Sequence, residues 1–117
     1  MKLSEIVDVL DAVVLTKQND LNKEYIKVGG SDLMSDILAG LSEGGVLVTG
    51  LTTVQVVKTA IIAGVSVVIY VRKKKPPREV IDLAESEGIP LLSSSLSMFV
   101  TCGRLYARGM TGLDTNR

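Results

Sequence analysis

Gly30, Ser31, Asp32, Thr49, Gly50, Thr52 and Arg72 are the residues whose types and placement suit chemistry, and that chemistry is the grip on an anion. Small residues and hydroxyls follow the predicted strands, so N–H groups at the starts of the next helices could face a phosphate or carboxylate. Arg72 and Lys73 would add positive charge to that rim. The same residue types also build ordinary turns and caps, and each cluster taken alone reads that way somewhat more readily. Asp32 and Asp36 stand four apart on one predicted helix face and could share a divalent cation. With no further ligands beside them, a dipole-favouring first-turn acid next to a solvated acid is the simpler reading. Arg72 to Lys75 with Arg78 is the one dense run of charge, suited to a solvated loop or to steering an acidic partner.

Much chemistry is excluded by what the sequence lacks. It has no histidine, so the commonest general base and metal ligand are missing. Neither G-x-G-x-x-G nor the phosphate-binding G-x-x-x-x-G-K-[ST] occurs. Cys102 is the single cysteine, which rules out an intrachain disulfide and a multi-cysteine zinc site, and its apolar helical setting suits packing better than nucleophilic attack. Thirteen basic residues balance thirteen acidic ones, leaving no global field for nucleic acid or an anionic membrane. Glu5, Asp8 and Asp11 interrupt the first apolar run, so it does not read as a signal peptide, and no stretch approaches the roughly 20 apolar residues of a membrane helix. The expectation is a cytoplasmic protein with no cofactor, no metal and no catalytic residue.

The element that must position the candidate residues is Gly44 to Arg72, which reads as strand, turn, helix and strand. Aromatics make up only 3% of the 117 residues, so the core must be Val, Ile, Leu and Ala, as suits parallel strands covered by helices. In chain order the spacing predicts a helix over 3–10, a strand over 12–15, a polar connection over 16–23 and a strand over 25–28 with Ile26 and Val28 on one face. That connection is too short for a helical crossover, so the sheet should be mixed. Gly29 and Gly30 should break the strand, with Ser31 capping a helix that carries Leu33, Met34, Ile37, Leu38 and Leu41 inward and ends at 42–44.

Val46 to Val48 is the next strand. Thr52 and Gln55 match a capping box for a helix whose stripe is Val54, Val57, Ala60 and Ile61, widened by Val56 and Ile62. Gly64 should end it in the left-handed conformation. Val65 to Val71 is the longest aliphatic run and should be the most central strand. Pro76 and Pro77 open a helix with Val80, Ile81 and Ala84 inward, Pro90 to Leu92 is a short strand, and a last helix spans about 96–108 with Met98, Phe99, Cys102, Leu105 and Tyr106 on one stripe.

These segments, in this order, resemble a known family. Gly30-Ser31-Asp32-Leu33-Met34-Ser35-Asp36, Val46-Leu47-Val48-Thr49-Gly50-Leu51, Ala63-Gly64-Val65, Gly88-Ile89-Pro90-Leu91-Leu92-Ser93 and Ser97-Met98-Phe99 with Cys102-Gly103-Arg104-Leu105-Tyr106 look like the DRTGG domain. Members of that family occur beside phosphotransacetylases, within CBS-domain pyrophosphatases and in cobyrinic-acid-synthase-like proteins, and are similar to the N-terminal domain of HPr kinase/phosphorylase. The catalytic machinery there sits in other domains, so the resemblance implies a regulatory or dimer-forming module. The sequence departs from the motif that names the family: the Asp-Arg pair is Ser31-Asp32, and Thr-Gly-Gly is Thr49-Gly50-Leu51.

The resulting expectation is a three-layer α/β/α domain over 1–109 with a mixed, mostly parallel five-stranded sheet, followed by a loose or interface-ordered tail over 110–117. It should be a stand-alone non-catalytic regulatory and interaction module, forming a homodimer through the final helix and Met110 to Arg117 and meeting an unidentified protein partner. The alternative is a small-molecule sensor holding a nucleotide or other anion at the carboxyl edge of the sheet.

Overall fold

The computed structural model describes residues 1–40 and 44–113. Its strands are β1 (Val13–Val14), β2 (Lys27–Gly30), β3 (Val46–Thr49), β4 (Val67–Tyr70), β5 (Leu91–Ser93) and β6 (Thr111–Gly112). Its helices are α1 (Leu3–Leu10), α2 (Met34–Gly40), α3 (Val54–Ala63), α4 (Arg78–Ser86) and α5 (Met98–Ala107). The strands form one sheet in the order β1-β5-β4-β3-β2-β6. All pairs are parallel except β1 with β5.

The three layers follow from the period of two in the aliphatic strands, which sends alternate side chains to opposite faces. Val46, Val48, Val67, Ile69 and Leu92 pack with Leu3, Ile6 and Leu10 of α1 and Leu105 of α5. Leu47, Val68, Tyr70 and Leu91 pack on the other face with α2, α3 and α4, through Ile37, Val57, Ala60, Val80 and Ala84. Every residue of β3 and β4 is buried, and these two strands occupy the middle of the sheet as the aliphatic runs predict. Gly64 ends α3 at φ 79°, the left-handed position that glycine takes without a Cβ penalty.

Mixed pairing arises differently from the expectation. β1 and β2 are not neighbours, because β5, β4 and β3 lie between them. Residues 15–26 cross that width, about 19 Å at ordinary strand spacing, well within the roughly 40 Å that so many extended residues reach. The crossing is tied to the chain start: the Met1 amino group donates to the Tyr25 carbonyl at 2.7 Å, and the Leu3 and Ser4 N–H groups donate to the Lys23 and Leu21 carbonyls. This path keeps Tyr25 and Ile26 out of the regular strand, so Tyr25 is buried while Ile26 is 69% exposed, which separates Ile26 from the buried Val28 expected to share its face.

Other expectations are corrected by tertiary contacts. Gly29 and Gly30 lie inside β2 rather than ending it. The five predicted strands become six because Thr111 and Gly112, read as tail, pair in parallel with Lys27 and Val28. α3 starts at Val54 with Thr53 at its N-cap and no side-chain capping bond, so the Thr52–Gln55 box does not form. Val56 is buried but Ile62 is 77% exposed, because Ile62 faces away from the sheet. The predicted stripe on the last helix splits, with Leu105 fully buried while Phe99 and Tyr106 face solvent. The strand predicted over 65–71 is regular only over Val67–Tyr70, and β5, expected over 90–92, lies one residue later. Leu41 and the helix end predicted over 42–43, like the tail beyond 113, lie outside the described residues.

Two buried hydroxyls, Tyr70 Oη and Thr101 Oγ1, have no hydrogen-bond partner among the described residues. An unsatisfied buried donor costs roughly 1–3 kcal/mol. Tyr70→Phe is therefore expected to stabilise the fold by about 1 kcal/mol, read as a higher urea midpoint with an unchanged slope. Burial also raises the Tyr70 phenol well above its ordinary value of 10.0. The unfolded chain then loses this proton first, so wild-type stability holds below that ordinary pKa and falls as pH rises beyond it. Tyr70→Phe should lessen the alkaline loss.

Candidate functional site

Because β2 to β5 are parallel, the loops after them meet at one edge of the sheet, the edge where open α/β folds hold ligands. Asp32 is at its centre. Its Oδ1 accepts from the Thr49 hydroxyl at 2.9 Å and from the Gly50 N–H at 2.7 Å. Thr49 Oγ1 in turn accepts from the Leu51 N–H at 3.2 Å, which folds the β3–α3 turn around the carboxylate. A Cβ placed on Gly50 would lie 3.5 Å from Asp32 Oδ2 and 3.6 Å from Lys74 Nζ, so the acid and the ammonium approach the same glycine. Ser31 turns the other way, its Oγ accepting from the Leu33 N–H at 3.0 Å and donating to Asp36 Oδ2 at 3.4 Å.

The donors that could grip an external anion at Thr49 and Gly50 are thus taken by a carboxylate of the chain itself. An arriving phosphate would have to displace Asp32 and face its negative charge. Asp32 does not act as a first-turn acid of α2; it staples one loop to the next. Thr52 is half-buried and makes no hydrogen bond among the described residues. Arg72 and Lys73 sit in the left-handed region, φ 57° and 60°, a conformation that costs a non-glycine residue roughly 1–2 kcal/mol. Their N–H groups donate to the Leu96 and Ser94 carbonyls, which stitches the β4–α4 turn to the β5–α5 loop and leaves both side chains exposed. Asp32, Thr49 and Gly50 are therefore one cluster with the Ser31 side chain turned away beside it, Arg72 belongs to a second, and Gly30 to neither.

Gly30 instead floors a groove of about 1020 Å³ that wraps the carboxyl end of β2 between α2 and α5. Its bare backbone has a local cause. A Cβ on Gly30 would stand 2.8 Å from Cys102 Sγ and 3.4 Å from Met98, while Leu113 packs directly on Gly29. α2 contributes Asp36, Ile37 and Ala39 to the groove, and α5 contributes Phe99, Gly103 and Tyr106. Phe99 is 87% exposed and Tyr106 72% exposed. Burial raises the Cys102 thiol pKa, which keeps it protonated and poorly nucleophilic at neutral pH.

Sequence reasoning missed this groove by assigning Phe99 and Tyr106 to the core. A signal was present. Residues 98 and 99, and again 105 and 106, are adjacent and so point about 100° apart on a helix. One row is 98, 102 and 105, and the other is 99, 103 and 106, with a glycine at its centre.

A second cleft of about 590 Å³ lies by the link over 16–20. Its polar groups serve one another: the Thr16 hydroxyl donates to Asn19 Oδ1 at 2.7 Å and Glu85 accepts from the Lys17 N–H at 2.8 Å. Among the described residues there is no cluster of acids and cysteine that could hold a metal, and no helix long and apolar enough to cross a membrane. No converging acid and base line the groove.

Comparison with known proteins agrees with this architecture. The family model described as the DRTGG domain matches residues 5–107. A similar solved structure is that of the CBS and DRTGG domains of the regulatory region of Clostridium perfringens pyrophosphatase, complexed with its activator diadenosine tetraphosphate. It superposes with a TM-score of 0.74 at 21% identity over 94% of this chain, and this chain spans 47% of that one. No curated protein matches the sequence significantly.

Proposed function

This chain belongs to the DRTGG domain family, and from that premise we propose that it is a non-catalytic regulatory module that works by self-association through the outer row of α5. The observation that carries this reading is the exposure of Phe99 at 87% and Tyr106 at 72% on one helix face, with Val100 at 38% beside them. Large rings are costly to leave in water, at roughly 25 cal/mol per Å² of apolar surface, and contiguous exposed apolar patches mark interaction sites. A second copy of the chain supplies a self-complementary apolar face of the same kind, which is how twofold homodimers close.

The self-satisfied Thr49–Gly50 turn weighs against holding an anion there. The reading as a small-molecule sensor is favoured instead by the groove, whose volume is that of a ligand pocket. The pyrophosphatase region provides a precedent for a regulatory chain that carries this domain and answers to a nucleotide. A cytoplasmic setting and an additional protein partner belong to the same proposal, supported by the single free cysteine and the balanced charge.

Light scattering across a concentration series tests the reading. A dimer at tens of micromolar is expected, and Phe99→Asp should weaken it at least tenfold by placing a charge in the apolar contact. A wild-type monomer throughout that range removes the self-association reading.

A further inference from the structure

We propose that the groove between α2 and α5 takes a small molecule with an apolar, planar body and one protonated amine. The inference uses the surface named in the functional reading above but assigns it an occupant of its own. Among the described residues Asp36 is the one charged residue that lines the groove, and neither lysine nor arginine does. Its carboxylate is exposed and, among the described residues, makes a single long hydrogen bond, 3.4 Å from the Ser31 hydroxyl, which leaves most of its acceptor capacity free. A phosphate or carboxylate ligand would meet only that negative charge; a cation is what the charge complements.

The walls agree with the pole. Phe99 and Tyr106 line the groove and stand exposed, and aromatic faces attract ammonium groups through their quadrupole. Ile37, Met98 and Cys102 give the interior an apolar surface. Gly29 and Gly30 keep side chains of β2 out of the floor, and Leu113, Met98 and Cys102 pack over their backbone and extend the apolar surface. A carboxylate at one end, exposed aromatic rings and an apolar interior together select an arylalkylamine over its neutral or anionic analogues. The rings are also those a second copy would cover, so amine and partner compete.

2-Phenylethylamine is the probe, with 2-phenylethanol and 3-phenylpropionate as its neutral and anionic counterparts, titrated into the full chain while backbone amide signals are followed by NMR. At an ordinary efficiency of about 0.5 kcal/mol per heavy atom, a molecule of this size binds at roughly millimolar strength. The expected result is saturable shifts at Ser31, Asp36 and Phe99 for the amine, at least tenfold weaker binding of the alcohol, and none of the propionate. Asp36→Asn, a surface change that leaves the core untouched, should weaken the amine at least tenfold and bring it level with the alcohol. Equal binding of all three probes, unchanged binding in Asp36→Asn, or no saturable shift with the amine each overturns the proposal. Light scattering in the same titration keeps the two readings apart: a chain monomeric without amine removes self-association while leaving amine binding measurable.

Discussion

Asp32→Ala is expected to lower the thermal midpoint by about 8 °C, the equivalent of about 2 kcal/mol in a domain of this size. The carboxylate accepts from both the Thr49 hydroxyl and the Gly50 N–H, and hydrogen bonds to a charged acceptor contribute roughly 1.5–3 kcal/mol each when buried. Asp32 is exposed, so water recovers part of that loss, which is why the sum is discounted. Alanine frees the β3–α3 turn as well, because the Thr49 hydroxyl that Asp32 orients also accepts from the Leu51 N–H. Asp32→Asn retains an oxygen at the same place and should cost about half as much. Circular dichroism melting of the three proteins checks the order wild type, Asn, Ala; an alanine variant melting with the wild type would mean the two loops are not joined through this side chain.

Gly30→Val should cost about 2–3 kcal/mol, the upper range of core overpacking. Valine suits a strand by itself, so propensity points the opposite way and any loss isolates the contact with α5. That contact is tight: the first added carbon would stand 2.8 Å from Cys102 Sγ. Removing the sulfur with Cys102→Ala in the same chain should restore a large part of the stability, a coupling that a double-mutant cycle in urea measures. Additive losses would show that Gly30 is needed for another reason. Gly29→Ala should be milder, since its obstacle is the far end of the half-buried Leu113 side chain, which can swing away.

Those two substitutions also mark where the sequence was readable and where it was not. The central strands were legible because Val46–Thr49 and Val67–Tyr70 are buried on both faces, and continuous aliphatic runs have few other uses in so short a chain. Gly64 was legible because a glycine directly after the apolar helical stripe of α3 suits the left-handed position that ends a helix, three residues before β4 starts. Gly29 and Gly30 read as a break because their local preference is for turns. What holds them in β2 is pairing with Leu47 and Val48 of β3, and the close approach of Leu113 and Cys102, residues far off in the chain, leaves no room there for a side chain.

The same limit applies at the sheet's carboxyl edge. Ser31, Asp32, Thr49 and Gly50 could be gathered from strand ends alone, and the structure joins the last three while the Ser31 side chain turns to Leu33 and Asp36. That Asp32 would occupy its neighbours' donors needed the register of β2 on β3, which pairs Gly30 with Val48 and so sets the two loops side by side. The mixed character of the sheet was expected from the short link, but the pairing of β1 with β5 rests on a crossing held by the first residues of the chain. On α5 the apolar residues outnumber the core positions available, and only packing decides that Leu105 turns in while Phe99 and Tyr106 turn out.

Amide hydrogen exchange at low and high protein concentration tests the central claim most directly, because it reports where copies of the chain meet as well as whether they do. The account predicts that raising the concentration slows exchange in α5, Met98–Ala107, and in the part of α2 that shares its groove, while α4, beyond α3 in the layer that α2 belongs to, is unchanged. Protection that builds on α4, or that does not depend on concentration anywhere, would contradict it.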